Sequence, residues 1–128
     1  MKAVIFARGY DLHGQIEKCK EYAEKMGYTV ECVAVGQGRD LPAIISGLGT
    51  DIKRVIVRDM ARLSRNALEN YTVQSELEID YGVLVEDVSA RERNEVQEKL
   101  MRNIIAAVQG DDIRERIKLQ ARMKGLEQ

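Results

Sequence analysis

Three observations predict an α/β fold with a four-stranded, mainly parallel sheet. Short apolar runs end in loops that carry Gly or Arg, segments with helical apolar spacing lie between those runs, and a long charge-dense segment at helical spacing closes the sequence. The chain has 128 residues, 45% of them hydrophobic, which suits one ordinary core.

Lys2–Ala7 is an apolar run ended by Arg8-Gly9 and reads as a buried strand that delivers its last residues to a loop. Ile16, Cys19, Tyr22, Ala23 and Met26 then recur at helical spacing before the stop signal Gly27, which predicts a helix of about four turns. Residues 28–35 are β-rich and end in Gly36-Gln37-Gly38, and Leu41–Leu48 follows as a short helix with Pro42 in its first turn. Val55-Ile56-Val57 forms a third strand. A helix starting near Ala61 and marked by Leu68, Tyr71, Thr72, Ser75, Leu77 and Ile79 comes next, and residues 82–85 form the fourth strand.

From Arg91 onward the composition becomes dense in charge, with apolar residues at Val96, Leu100, Ile104, Ile105 and Val108, then Ile113 and Ile117. Gln109-Gly110-Asp111-Asp112 reads either as a break with Asp111 capping a second helix or as a weak spot inside one long helix. An apolar stripe on a helix that extends beyond a small domain needs a covering surface, so dimerisation is expected, the alternative being that the helix folds back on its own sheet. The expected organisation is an α/β domain over 1–90 and a helical extension over 91–128.

Composition excludes several function classes. Charged residues make up 32% of the chain but nearly balance at a net charge of -1, so any nucleic-acid contact must come from local clusters. Cys19 and Cys32 lack metal-ligand spacing and are expected to pack as small apolar side chains in a reduced, cytoplasmic setting. The chain enters Ala3-Val4-Ile5-Phe6 without a basic leader, and no apolar run reaches the length of a membrane span, so no membrane association is expected. His13, the one histidine, stands in a polar loop without ligand spacing, and no metal is expected. Gly36-Gln37-Gly38 lacks the Lys and Ser/Thr of a P-loop and reads as a loop carrying Arg39, so no nucleotide cofactor is expected either.

The most informative stretch is Arg62-Leu63-Ser64-Arg65-Asn66. Two arginines three apart emerge on one face of a helix that begins near Ala61, where backbone N–H groups also favour anions, and this is a phosphate-binding arrangement. Parallel sheets place binding sites beyond the carboxyl ends of their strands, and Arg8, Arg39 and Arg62 all fall there. The competing reading is a solvated helix start whose arginines pair with carboxylates such as Glu69.

The order of elements, with Phe6-Ala7-Arg8 ending the first strand and Arg62-Leu63-Ser64-Arg65-Asn66 following the third, resembles the catalytic domain of serine recombinases, the resolvases and DNA invertases. Gln15, Glu21-Tyr22-Ala23 and Gly27 resemble the family's first-helix pattern, Arg39 before Leu41 its loop arginine, and Ile113-Arg114-Glu115-Arg116-Ile117 the basic part of its long dimer helix. The resemblance implies a resolvase-like three-layer α/β domain with a long C-terminal dimerisation helix, and a role in site-specific DNA recombination in a mobile element or phage. In that family a serine hydroxyl attacks a DNA phosphate to give a phosphoserine link to the 5′ end, arginines stabilise the developing charge, and no metal or other cofactor is required. Planar guanidiniums match a pentacoordinate phosphoryl group better than ammoniums do. The resemblance implies that Arg8, Arg39, Arg62 and Arg65 form this cluster.

The chain departs from the family at three catalytic positions. Tyr10 stands two residues after Arg8, where the family has its serine; the segment from Tyr10 to Gln15 is shorter than the family's active-site loop; and Ala61 replaces the acid that precedes Arg62. Ser64, Ser46, Ser75 and Ser89 are the remaining serines considered, Ser64 lying nearest the arginines, while Tyr10 is itself a competent class of nucleophile. Beyond the helical extension no DNA-binding domain is expected. Arg114, Arg116, Lys118, Arg122 and Lys124 are left as phosphate contacts that give orientation with little sequence information.

The expected function is therefore that of a catalytically impaired pseudoenzyme, a recombinase-like module that binds DNA weakly through phosphates. It would associate as a homodimer or higher oligomer, or with an intact recombinase. The alternatives are an active strand transferase using Tyr10 or Ser64, and a small phosphate-ligand protein on the same fold.

Overall fold

In the computed structural model, which describes residues 1–49 and 51–108, strand β1 (Lys2–Ala7) lies at the centre of the sheet, and its residues Ala3 to Ala7 are fully buried. Being apolar on both faces, it accepts a strand on each side and a helical layer above and below. It pairs in parallel with β2 (Thr29–Val35) on one side and β3 (Ile52–Val57) on the other, and β3 pairs in parallel with β4 (Leu84–Asp87). The order β2-β1-β3-β4 is parallel throughout.

Helix α1 (Leu12–Met26) covers one face, where Cys19, Tyr22 and Ala23 pack on Ala3, Ile5 and Ile56. Burial pushes the Cys19 thiol up to about 12, so it stays protonated and packs as a small apolar group. Helices α2 (Leu41–Leu48) and α3 (Ala67–Tyr81) cover the other face, where Leu41, Ile45, Val73 and Leu77 meet Val4, Phe6, Val55 and Val57. Alternation along β1 and β3 thus feeds two cores, giving three layers. Because α1 carries the chain to one side of β1 and α2 carries it back to the other, the strand order reverses between β1 and β3. A crevice opens beyond their carboxyl ends.

Three sequence expectations are corrected. The helix after β3 does not begin near Ala61: Met60–Arg62 is a 3₁₀ turn, and α3 starts at Ala67 with the Asn66 side chain accepting the Glu69 N–H at 3.0 Å. The inward face of α3 is Asn70, Val73 and Leu77, whereas Leu68, Tyr71 and Ile79 are 74%, 70% and 80% exposed. Asn70 points inward because its amide donates to the carbonyls of Met60 and Ser64 at 2.8 and 3.1 Å, which a leucine could not do. The last strand lies two residues later than expected, because Gly82 sits in the left-handed region (φ 66) as the cap of α3 and its N–H reaches the Glu78 and Leu77 carbonyls.

Helix α4 runs over Val88–Val108. The described residues divide into two units, Met1–Arg91 and the part of α4 from Glu92 to Val108. Along α4, Val96, Leu100, Met101 and Ile105 are exposed. The tetrapeptide Gln109-Gly110-Asp111-Asp112, with Ile113 and Ile117, lies outside the described residues.

Candidate functional site

The crevice beyond β1 and β3 is built from two loops that grip one another. At the end of β1 the chain turns sharply through Gly9 (φ 88) and Asp11 (φ 57), and the Asp11 carboxylate caps α1 by accepting the Gly14 N–H at 3.2 Å. Gln15, buried inside this turn, fixes it with three bonds: its Oε1 accepts the Arg8 N–H at 3.1 Å, and its Nε2 donates to the carbonyls of Arg8 and Tyr10 at 2.9 and 2.8 Å.

From this turn Arg8 reaches across to the 3₁₀ turn after β3. Its Nε donates to the Arg62 carbonyl and its terminal nitrogen to the Ala61 carbonyl, both at 2.8 Å. Arg62 reaches back, donating to the Arg8 carbonyl at 3.3 Å while its Nε pairs with Asp59 Oδ2 at 3.4 Å. Each arginine therefore positions the backbone that carries the other. Its remaining N–H groups keep the geometry suited to an oxyanion. A Cβ on Gly9 would come within 3.1 Å of the Arg62 guanidinium, the movable end of a long side chain, so it is the φ of 88° that favours glycine there.

Tyr10 is 81% exposed, with its ring 6.0 Å from the Arg62 guanidinium carbon, within cation–π range. Tyr10, Lys18, Arg58, Asp59, Arg62 and Ser89 line a cleft of about 370 Å³. The structure thus brings Arg8, Tyr10 and Arg62 together. Arg39 is exposed on the turn Gly38–Asp40, which presses on the second loop so closely that a Cβ on Gly38 would overlap the Leu63 carbonyl oxygen.

Arg65 does not share a helical face with Arg62, because the irregular segment before Asn66 separates them. It lines a different, more open groove of about 730 Å³ with Ser64, Asn70 and Tyr71. Ser64 is buried and its Oγ accepts the Asn66 N–H at 3.1 Å. Arg114, Arg116, Lys118, Arg122 and Lys124 lie outside the described residues.

The sequence reading missed Arg58, Asp59 and Lys18. Arg58-Asp59 directly follows the apolar end of β3, the same signal that singled out Arg8, and Lys18 lies one helical turn beyond Gln15. Asp59, two residues before Ala61, supplies the carboxylate that pairs with Arg62, in place of the Glu69 partner weighed above. Ser89 proves to be a cleft residue because β4 ends beside β3 and α4 begins at once. Among the described residues no cluster of His, Cys, Asp and Glu is arranged to hold a metal ion.

The model of a protein family described as the resolvase N-terminal domain matches residues 6–127. Among solved structures, the C-terminal catalytic domain of ISC1926 TnpA, an IS607-like serine recombinase, is 25% identical with a TM-score of 0.58, covering 98% of each chain. A resolvase family site-specific recombinase from Streptococcus pneumoniae is 21% identical with a TM-score of 0.63, covering 99% of this chain and 97% of that one. The N-terminal catalytic domain of TP901-1 integrase is 18% identical with a TM-score of 0.61, covering 78% of this chain and 98% of that one. No curated protein matches the chain.

Proposed function

This chain belongs to the resolvase N-terminal domain family, and from that premise we propose that its arginine cleft binds the phosphodiester backbone of DNA while strand cleavage is impaired. The observation that carries this reading is the placement of hydroxyls around Arg62. The position two residues after Arg8 presents the long, exposed phenol of Tyr10, and Ser64 is buried in a different groove. A phosphate held beside Arg8 and Arg62 would meet no serine at the family's nucleophile position, the short hydroxyl in the same cleft being that of Ser89 on α4, and in-line attack is sensitive to about 1 Å of misplacement.

In this reading Arg8 and Arg62 bind the phosphate directly, and Arg39 and Arg65 extend the contact to neighbouring phosphates. Tyr10 packs its ring against the Arg62 guanidinium. Arg114, Arg116, Lys118, Arg122 and Lys124, outside the described residues, add further phosphate contacts in this reading. Such contacts set affinity and orientation without reading bases, so binding is weak and falls steeply with salt.

Residues 1–90 act as the catalytic-type domain and 91–128 as the association element, pairing with a second copy or with an intact recombinase. The exposed apolar residues of α4 support that role. A cytoplasmic protein of a mobile element or phage fits this activity, and among the described residues no helix is long and apolar enough to cross a membrane.

The test is a denaturing-gel search for covalent protein–DNA adducts with labelled fragments of the surrounding genome, comparing wild type with Tyr10→Phe, Ser64→Ala and Ser89→Ala. The expected result is no adduct from a folded, DNA-binding chain. The second reading, an active strand transferase, is favoured by the Tyr10 ring lying over Arg62. An adduct lost in Tyr10→Phe alone would establish that reading in place of the first.

A further inference from the structure

Asp87 ends β4, and its two carboxylate oxygens serve two different elements. Oδ2 accepts the N–H of Met60 at 3.0 Å, the first residue of the turn that ends in Arg62. Oδ1 accepts the N–H of Ala90 at 2.8 Å, in the first turn of α4. One residue before Ala90, the Ser89 N–H donates to the Arg58 carbonyl at 3.0 Å. One direct hydrogen bond, from Ser89 to Arg58, and one two-bond bridge through the Asp87 carboxylate therefore join the start of α4 to the segment Arg58-Asp59-Met60.

That segment has little freedom to absorb a displacement. The Met60 carbonyl accepts from Asn70 at 2.8 Å, the Ala61 and Arg62 carbonyls accept from Arg8, and the Arg62 N–H donates to the Asp59 carbonyl at 3.1 Å. A short turn with five backbone polar groups engaged moves as a unit, and Arg62 is its last residue. Charge-assisted bonds from one carboxylate to two backbone N–H groups are stronger than the neutral bonds around them, so the Asp87 link is the firm one.

We propose that Asp87 is a positioning residue that couples the seating of α4's first turn to the placement of the Arg62 guanidinium. Self-association through α4 and anion binding beside Arg62 then alter one another's affinity. The inference rests on the reading above, in which the cleft binds phosphate and α4 associates. Linkage makes the effect reciprocal: if association shifts phosphate affinity, phosphate shifts association by the same factor.

The experiment uses the full chain and inorganic phosphate, a single small anion that does not span two protomers as a duplex would. Self-association is measured by sedimentation with and without saturating phosphate at constant ionic strength. Phosphate binding is followed by phosphorus NMR, with Arg62→Ala as the control for the site. In the wild type, phosphate is expected to change the association constant by about fivefold or more, and in Asp87→Ala by less than about twofold, with both binding and association retained.

Equal linkage in wild type and Asp87→Ala overturns the coupling and leaves the functional reading standing, as does absent linkage in a wild-type chain that binds phosphate and associates. A wild-type chain that fails to bind phosphate or to associate overturns that reading and the coupling with it. Where Asp87→Ala does not fold, Asp87→Asn serves instead, because its amide keeps one acceptor oxygen and loses the other. Linkage is then expected to fall below the wild-type factor, and an unchanged factor overturns the proposal.

Discussion

Gln15 shows how one side chain sets up the candidate site from outside it. Its amide, buried inside the turn, satisfies the N–H and carbonyl of Arg8 and the carbonyl of Tyr10, so truncation leaves the Arg8 N–H and the Tyr10 carbonyl without that partner and the Arg8 carbonyl with the Arg62 guanidinium alone. Gln15→Ala is expected to destabilise the chain by about 1–3 kcal/mol in urea unfolding and to weaken phosphate binding as the Arg8 loop relaxes. Tyr22 carries a second residue-scale prediction. Burial, followed by the nearby Glu86 carboxylate that accepts its hydroxyl at 3.1 Å, pushes the phenol up to about 12 from its ordinary value near 10. Because the folded value is the higher one, this contribution to stability is intact below about pH 10 and is lost as pH rises toward 12. Thermal melts of Tyr22→Phe across that range should show a shallower alkaline decline than wild type, after allowing for the Cys19 thiol, which titrates in the same direction.

At the scale of elements, α3 separates what periodicity can and cannot say. Its apolar residues occur on more than one face, and the three outward ones, Leu68, Tyr71 and Ile79, are as regularly spaced as the inward ones. Leu77 is fully buried against the sheet, so Leu77→Ala is expected to cost about 2–5 kcal/mol. Ile79→Ser on the opposite side should stay within about 0.5 kcal/mol. Comparable losses from both substitutions in chemical denaturation would mean that the outer face of α3 is covered. The inward turn of Asn70 explains why the sequence pattern misled: a polar residue reads as solvent-facing unless the carbonyls it must satisfy are known, and those of Met60 and Ser64 belong to an irregular loop.

For the whole molecule, the contrast between a closed three-layer unit and a helix with exposed apolar side chains carries the prediction about assembly. Val96, Leu100, Met101 and Ile105 expose apolar surface, so charges placed there should disturb association rather than folding. Leu100→Glu combined with Ile105→Glu is expected to lower the sedimenting mass to that of a monomer with an unchanged unfolding midpoint. A monomeric wild type, or a double variant that unfolds, counts against α4 as the association element. If DNA binds through a few guanidiniums as proposed, on a chain of net charge -1, its affinity should fall as salt is raised from low to physiological concentration.

Local patterns along the chain encode the order of strands and helices, the parallel sheet and the family. Apolar period, glycine stops and the paired-arginine motif are local signals, and each is legible within about a dozen residues. They also place Arg8 and Arg62 at strand ends, since any parallel sheet gathers those ends on one edge. Only the tertiary structure decided which arginines meet. Arg8 and Arg62 clasp across 54 residues of sequence, Arg65 turns to another groove, Asp59 becomes the carboxylate partner, and Asp87 and Ser89 enter from the junction of β4 and α4. The reason is that hydrogen bonds between distant loops depend on how two chain reversals are packed against each other, and no spacing along one segment encodes that distance.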